Sequence, residues 1–395
     1  MNRSIIITTG IIILLLVLGV WIYLMFFGAP ENKEEVFTNF GFRIQPQEVT
    51  IIPDTNTGNV SPLVDTQTDA LRQLTTRPVA GFAFASTSEG EAVRYVERGT
   101  GHIYEINLAT GVESALSRTT IPQVNEAVFS HDAEVVALIS HERYQSEVFV
   151  GTLGNNINLT GISLQPNASN ISFTLENEVQ YTIAANGTTK GYRHNIDTLV
   201  QTELFSMNYT NLDVGWGNGL EKIFLATKPA QGFEGFMYTI ENNILTPVAF
   251  SAQGLSALFT NTYILTSFIQ GDTYSSAVVT TATQERLELP ILALKEKCVP
   301  DTTDEFLIWC AASLNNQPAT FGEDWYKGTV ISEDSIWLID PLAQTADVYA
   351  NLGSLSGRTI DVKEIDMNTK GTLLSFVNKA DQTLWLYDIF ADIKF

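Results

Sequence analysis

The chain is short of positive charge: 22 Lys and Arg stand against 44 Asp and Glu, a formal net charge of −22. A phosphate-binding surface needs clustered cations, so nucleic acid is excluded as a partner, and an anionic lipid surface is repelled. Cysteine is nearly absent. Cys298 and Cys310 are the only two, too few for a disulfide scaffold. The four histidines are scattered and offer no metal-ligand spacing, so neither a metal nor another cofactor is expected. The nucleophile motif G-x-S-x-G is missing, as is the phosphate loop G-x-x-x-x-G-K-[ST]. G-W-G-N-G at residues 215–219 has no helical pattern after it and is read as a strand turn. Asp54, Asn56, Gly58 and Asp65 imitate a calcium loop but lack its sixth-position Gly and twelfth-position Glu. No catalytic residue is expected from motifs, although carboxylates brought together from distant segments escape such a search.

Long apolar runs are also missing, with one exception. Residues 5–27 contain no charged side chain, and at 1.5 Å per residue they span about 34 Å, enough for a bilayer core. The run is too long for a cleaved signal peptide and ends at Gly28-Ala29-Pro30, a poor cleavage site. Arg3 precedes it, while Glu31, Glu34 and Glu35 outweigh Lys33 after it. The positive-inside rule therefore keeps the N-terminus cytoplasmic and exports the rest. The expectation is a cell-membrane, single-pass protein: residues 1–28 a stub and signal-anchor helix, 29–68 a flexible acidic linker rich in Pro and small polar residues, and 69–395 an extracytoplasmic domain.

What that domain does have is a repeat. Short strands end at Phe84, Phe129, Phe173, Trp216, Phe259, Val299 and Met367, at spacings of 45, 44, 43, 43, 40 and 68. Each is followed by an alternating or apolar strand (AVRYVE, EVVALIS, FLIWCAA, TLLSFVN), then a third (HIYEINLATG, SIWLIDPLA) and usually a shorter fourth. Seven units of four strands predict an all-β, seven-bladed β-propeller. The last unit lacks a proper fourth strand, and a spare segment, DALRQLT at 69–75, precedes the first. Using one to complete the other closes the ring and removes an open edge.

FSHDAEVVAL at 129–138 resembles a degenerate form of the F/W-S-P-D-G turn in the WD40-like repeats of TolB-type bacterial propellers, with His131 in place of the proline. HIYEINLATG and SIWLIDPLAQTA resemble the third strand of that repeat. The likeness covers residues 69–395 and implies the fold alone. LRQLTTRPVAGF, VRYVERGTGHIYEINLATG, EKCVPDTTDEFLIWCAAS and DWYKG are similar to membrane-anchored propeller proteins of Patescibacteria, a resemblance that implies no activity.

The spacing of 68 marks an insertion of some 20 residues between the second and third strands of the sixth unit. It carries Glu323, Asp324, Trp325, Tyr326 and Lys327, an aromatic pair set among charges that suits a binding hot spot. The alternative is that Trp325 caps the neighbouring blade or plugs the channel. Equivalent loops bring Arg98 with His102, and His141 with Arg143 and Tyr144, to the same face. Cys298 and Cys310 flank a hairpin turn centred on Asp304 and face each other, as a disulfide that export permits or as two buried thiols. The functional expectation is a tethered protein-binding or scaffold module with a partner in the cell envelope. The alternative is a carbohydrate-active enzyme with carboxylates at the channel mouth.

Overall fold

The structure, a computed structural model, describes residues 70–391 apart from 143–144, 155–156, 217–221 and 243. The expected anchor and linker therefore lie outside the described residues, as do Arg143, Tyr144 and most of the G-W-G-N-G turn. Among the described residues no helix is long and apolar enough to cross a membrane.

Seven antiparallel sheets make a seven-bladed β-propeller. Blade I consists of Val79–Thr87, Gly90–Glu97, Ile103–Asn107 and Glu113–Ser117, each strand paired with the next. Blades II to VI repeat this order over residues 124–163, 168–207, 212–253, 256–289 and 298–351. Middle strands lie between neighbouring blades and are buried on both faces. That is why Tyr263–Gln270 and Ile308–Ala312 read as near-continuous apolar runs rather than alternating ones. The outermost strand Ile244–Gln253 is mostly exposed and alternates. Inner strands approach closely: a Cβ on Gly81 would lie 2.0 Å from the Ala127 carbonyl oxygen, so the contact between blades I and II demands glycine.

The degenerate turn at Ser130 shows how one repeat is held to the next. Asp132 accepts from Ser130 Oγ (2.7 Å) and from the Glu134 N–H (3.0 Å). Ala133 takes the left-handed conformation, at φ 57°. Asn177, at the equivalent turn one blade on, donates to the other Asp132 oxygen at 2.8 Å. Partial burial works against this carboxylate, but these hydrogen bonds more than offset it and hold the pKa below the ordinary range.

Blade VII is completed from the other end of the chain. Leu71–Gln73 pairs antiparallel with Leu384–Asp388, in the register Leu71 with Tyr387 and Gln73 with Trp385. Leu71 is fully buried and packs with Trp309, Ile336 and Leu352 of blade VI. The spare strand thus supplies the missing one, as the repeat count requires.

Cys298 and Cys310 are directly opposed across the first two strands of blade VI and form a disulfide. The bond closes a short loop 12 residues apart in sequence. On chain-entropy grounds, removing both thiols with a Cys298→Ala/Cys310→Ala variant is expected to cost about 2–3 kcal/mol. Urea unfolding of the variant against the parent measures this, and an unchanged midpoint would show that the bond holds nothing the strands do not.

The insertion departs from the strand-and-loop reading in one respect. Gln317–Pro318 adds a short strand to blade V, and Phe321–Lys327 forms a helix of seven residues. Glu323 and Asp324 occupy its first turn, and Gly328 ends it in the left-handed conformation with its N–H on the Asp324 and Trp325 carbonyls. Two turns are too short to show a 3.6-residue period in sequence, hence the difference.

Candidate functional site

In every blade the second-to-third and fourth-to-first connections emerge at one end of the propeller. The insertion helix lies at that end. Its buried side is formed by Phe321, Gly322 and Trp325, packed with Tyr274 and Leu294. Trp325 is only 3 % exposed and Tyr326 is 40 % exposed. The aromatic pair is therefore divided between interior and surface.

Beneath Trp325 lies a buried charge network joining blades VI and VII. Lys297 Nζ is 2.6 Å from Ser332 Oγ, Asp334 Oδ2 and Asp361 Oδ1. The side chains of Lys297, Asp334 and Asp361 are 2 %, 0 % and 0 % exposed. The Trp325 indole N–H donates to Asp361 (2.9 Å), and the Val362 N–H donates to Asp334 (2.7 Å). Burial raises the Asp334 pKa although Lys297 opposes it. Lys379 Nζ sits 4.0 Å above the Trp325 ring centroid, and burial lowers its pKa. Every polar group of this network has a partner within the fold, so its geometry is that of a clamp.

On the open side of the helix is a cleft of about 400 Å³ between blades IV and V and the insertion. Ile269, Tyr274 and Pro229 give it an apolar lining, and Asp213, Lys295 and Glu296 give it charge. Lys295 bridges Asp213 (2.5 Å) and Glu296 (3.9 Å). The Tyr326 hydroxyl, sunk into the cleft while its ring edge stays open, donates to Glu296 Oε2 at 2.9 Å. Burial raises the Glu296 pKa against the pull of Lys295 and Tyr326. Burial disfavours the Lys295 ammonium, but Glu296 and Asp213 more than offset it and raise its pKa. The Tyr326 hydroxyl is pushed well above its ordinary range by burial and by Glu296. At the rim Lys327 pairs with Glu323, four residues earlier on the helix.

A second cavity of about 680 Å³ opens between blades II and III, lined by Glu126, His141, Gln145 and Asn170 among others. Lys228, on the blade IV loop, lines both cavities. Of the residues singled out from sequence, Glu323, Tyr326 and Lys327 meet at the first cavity and His141 reaches the second. Asp324 lies on the helix but not on the cleft wall, while Arg98 and His102 turn elsewhere. Arg98 donates to Gln382 of blade VII (3.1 Å), and His102 contacts Thr120 (2.9 Å). Asp213, Lys295 and Glu296 were missed. The signal present was the charged triplet KEK (295–297) set between apolar ILAL and CVP.

The inner strand Val362–Met367 brings further carboxyls toward the channel. Glu364 stands at a β-bulge with φ 56° and accepts from the Phe82 N–H. Burial pushes its pKa up to about 8, opposed by Lys363 and reinforced by Glu126. Asp366 rises to about 6 for the same first reason. Because Glu364 titrates higher folded than unfolded, its ionisation opposes folding. The contribution is intact below the ordinary pKa of 4.5 and is lost as pH rises through 8. A Glu364→Gln variant is expected to flatten that loss and to be about 2 kcal/mol more stable than the parent at pH 9, discounted because the side chain keeps some solvent access. Urea unfolding between pH 5 and 9 checks the sign, and parallel pH profiles would refute it.

The fold and this loop-face geometry define a seven-bladed propeller with a walled cleft. No protein-family model matches the chain, and no curated protein does. Among solved structures it is similar to the β-propeller domain of the Trilobed protease from Pyrococcus furiosus, at TM-score 0.51 and 10% identity, covering 78% of this chain and 96% of that one. It is also similar to oligogalacturonate lyase from Vibrio parahaemolyticus (TM-score 0.54, 10% identity, 82% and 95% covered). A third likeness is to the GH74 enzyme of Niastella koreensis (TM-score 0.53, 13% identity), where 82% of this chain matches 55% of the other. At these identities the likeness is one of fold.

Proposed function

We propose that the protein is a membrane-tethered, extracytoplasmic propeller that binds a protein partner of the cell envelope at the cleft beside its insertion helix. The observation that carries this is the cleft itself. It is built around an element that, among the described residues, one blade alone carries, held rigidly by Trp325, and it presents the half-exposed Tyr326 between the charges of Glu323 and Lys327. A rigid aromatic in a preformed, partly apolar pocket is the usual form of a binding hot spot. The Cys298–Cys310 disulfide supports an oxidising, exported location. The apolar run at 5–27 supports a membrane-tethered protein.

The test is crosslinked capture from native membranes with the full-length chain. A Tyr326→Ala/Lys327→Glu variant is expected to lose at least tenfold in capture of the parent's partner while keeping a cooperative melting transition. Undiminished capture would remove the cleft from the interface.

A second reading, a carbohydrate-active enzyme, draws on one observation: Glu364 is pushed up to about 8 in the presence of the nearby carboxylate of Glu126. A carboxyl whose pKa is raised beside a second carboxyl is an arrangement that acid–base cleavage of a glycosidic bond uses. Turnover of a polysaccharide that Glu364→Gln and Glu126→Gln each abolish would favour it over simple binding.

A further inference from the structure

The two cavities on the loop face are not independent, because a single side chain, Lys228, lines both. Together they offer about 1,100 Å³, more than one compact ligand fills. They run from the insertion helix of blade VI across blade IV to blades II and III. An occupant of both is elongated and crosses the face at Lys228.

The charges say what crosses there. Three lysines line the first cavity. Lys295 is taken by Asp213 and Glu296, and Lys327 by Glu323. Lys228 is exposed, and among the described residues its ammonium makes no ion pair. Among the described residues it is the lysine of this groove that no carboxylate holds, and so the one open to an incoming anion. The cavities on either side differ in kind. The first is lined by Ile269, Tyr274 and Pro229, while the second sets Gln145 and Asn170 beside the aliphatic Ile139 and Ile171. Ile269 and Pro229 in the first cavity and Ile139 and Ile171 in the otherwise polar second one give apolar side chains a place to pack on both sides, and the Gln145 amide matches a peptide backbone. The net charge of −22 makes an anionic polymer unfavourable as a whole, so the anion at Lys228 is a single group on a chain that is otherwise mostly uncharged.

We propose that the groove takes an extended polypeptide segment carrying one acidic side chain, which pairs with Lys228 while a neighbouring apolar side chain fills the cleft beside Tyr326. This rests on the reading of the cleft as a partner-binding site and specifies the partner's chemistry.

The experiment uses full-length protein in lipid nanodiscs, panned against a phage-displayed library of random dodecapeptides, with a glycan array as the parallel arm. Enrichment of peptides with an Asp or Glu next to an apolar residue is expected. A synthetic consensus peptide should bind Lys228→Glu at least tenfold more weakly than the parent. Replacing its acidic residue by Lys should restore part of the affinity for that variant. Lys228 is exposed, so the variant should melt as the parent does, and a lowered melting temperature would make the charge-swapped peptide the deciding measurement. The proposal is overturned if no peptide is enriched, if glycans bind and peptides do not, or if the consensus binds Lys228→Glu unchanged. Peptide binding that needs Tyr326 but is indifferent to Lys228 sinks this inference and leaves the cleft reading standing. Membrane-protein capture indifferent to Tyr326 and Lys327 sinks the cleft reading itself.

Discussion

A Lys297→Ala variant is expected to lose about 3–5 kcal/mol of unfolding free energy, the range for breaking a buried ion pair by removing one partner. Asp334 and Asp361, both without solvent exposure, would be left facing each other with no cation between them. Neither can turn to water, because Asp334 also holds the Val362 N–H and Asp361 the Trp325 indole. The loss should depend on pH with a definite sign. Burial already raises the Asp334 pKa, and removing Lys297 takes away what opposes that rise. In the variant Asp334 titrates still higher folded than unfolded, so the variant should regain stability on acidification and be weakest at alkaline pH. Adding Asp334→Asn should recover part of the loss, since the remaining charge is then a single carboxylate. Urea unfolding at pH 5 and pH 8 distinguishes these outcomes. A loss equal at both would mean that packing, not charge, holds the junction. The insertion helix rests on this network through Trp325, so the cleft should lose ligand affinity along with stability.

The second large effect is expected at the ring closure. A Leu71→Asp variant of the full chain should lose more than 3 kcal/mol and give a broadened thermal transition. It puts a carboxylate where the parent has a fully buried side chain packed against Trp309 and Ile336. Among the described residues the outer edge of Leu384–Asp388 is covered by the segment 70–75, with Leu71–Gln73 as its paired strand. Once it detaches, the apolar strand LWLYD presents unpaired backbone groups, and self-association should follow. Calorimetry with size-exclusion chromatography measures both. A sharp, unshifted transition in a monomeric variant would show that the ring is held without this strand.

Much of the fold was legible because a propeller repeats one local pattern. Spacings near 43 residues located six blade boundaries, the 68-residue interval located the insertion, and the count of strands required Leu71–Gln73 to complete blade VII. The opposition of Cys298 and Cys310 followed from a hairpin centred on Asp304, since a strand pair has only one register about its turn. Each of these properties is a relation between residues close in sequence or between copies of one unit.

The site was legible only in part. Tyr326, Glu323, Lys327 and His141 could be marked because polar-flanked aromatics and loop charges stand out in a strand-rich chain. Their division could not. Trp325 and Tyr326 are adjacent, yet one is clamped over Asp361 and the other faces the cleft, because the helix packs on Tyr274 and Leu294 from blades V and VI. The triplet Lys295, Glu296 and Lys297 is likewise parted, two charges lining the cleft and the third joining the buried clamp. Sequence alone determined the class of fold, the number of blades, the place of the insertion and the acid character of the surface. Tertiary structure decided which charges are held, since Asp213 lies 82 residues from Lys295 and Asp361 lies 64 from Lys297, brought in by radial packing of the blades, and no local period encodes those distances.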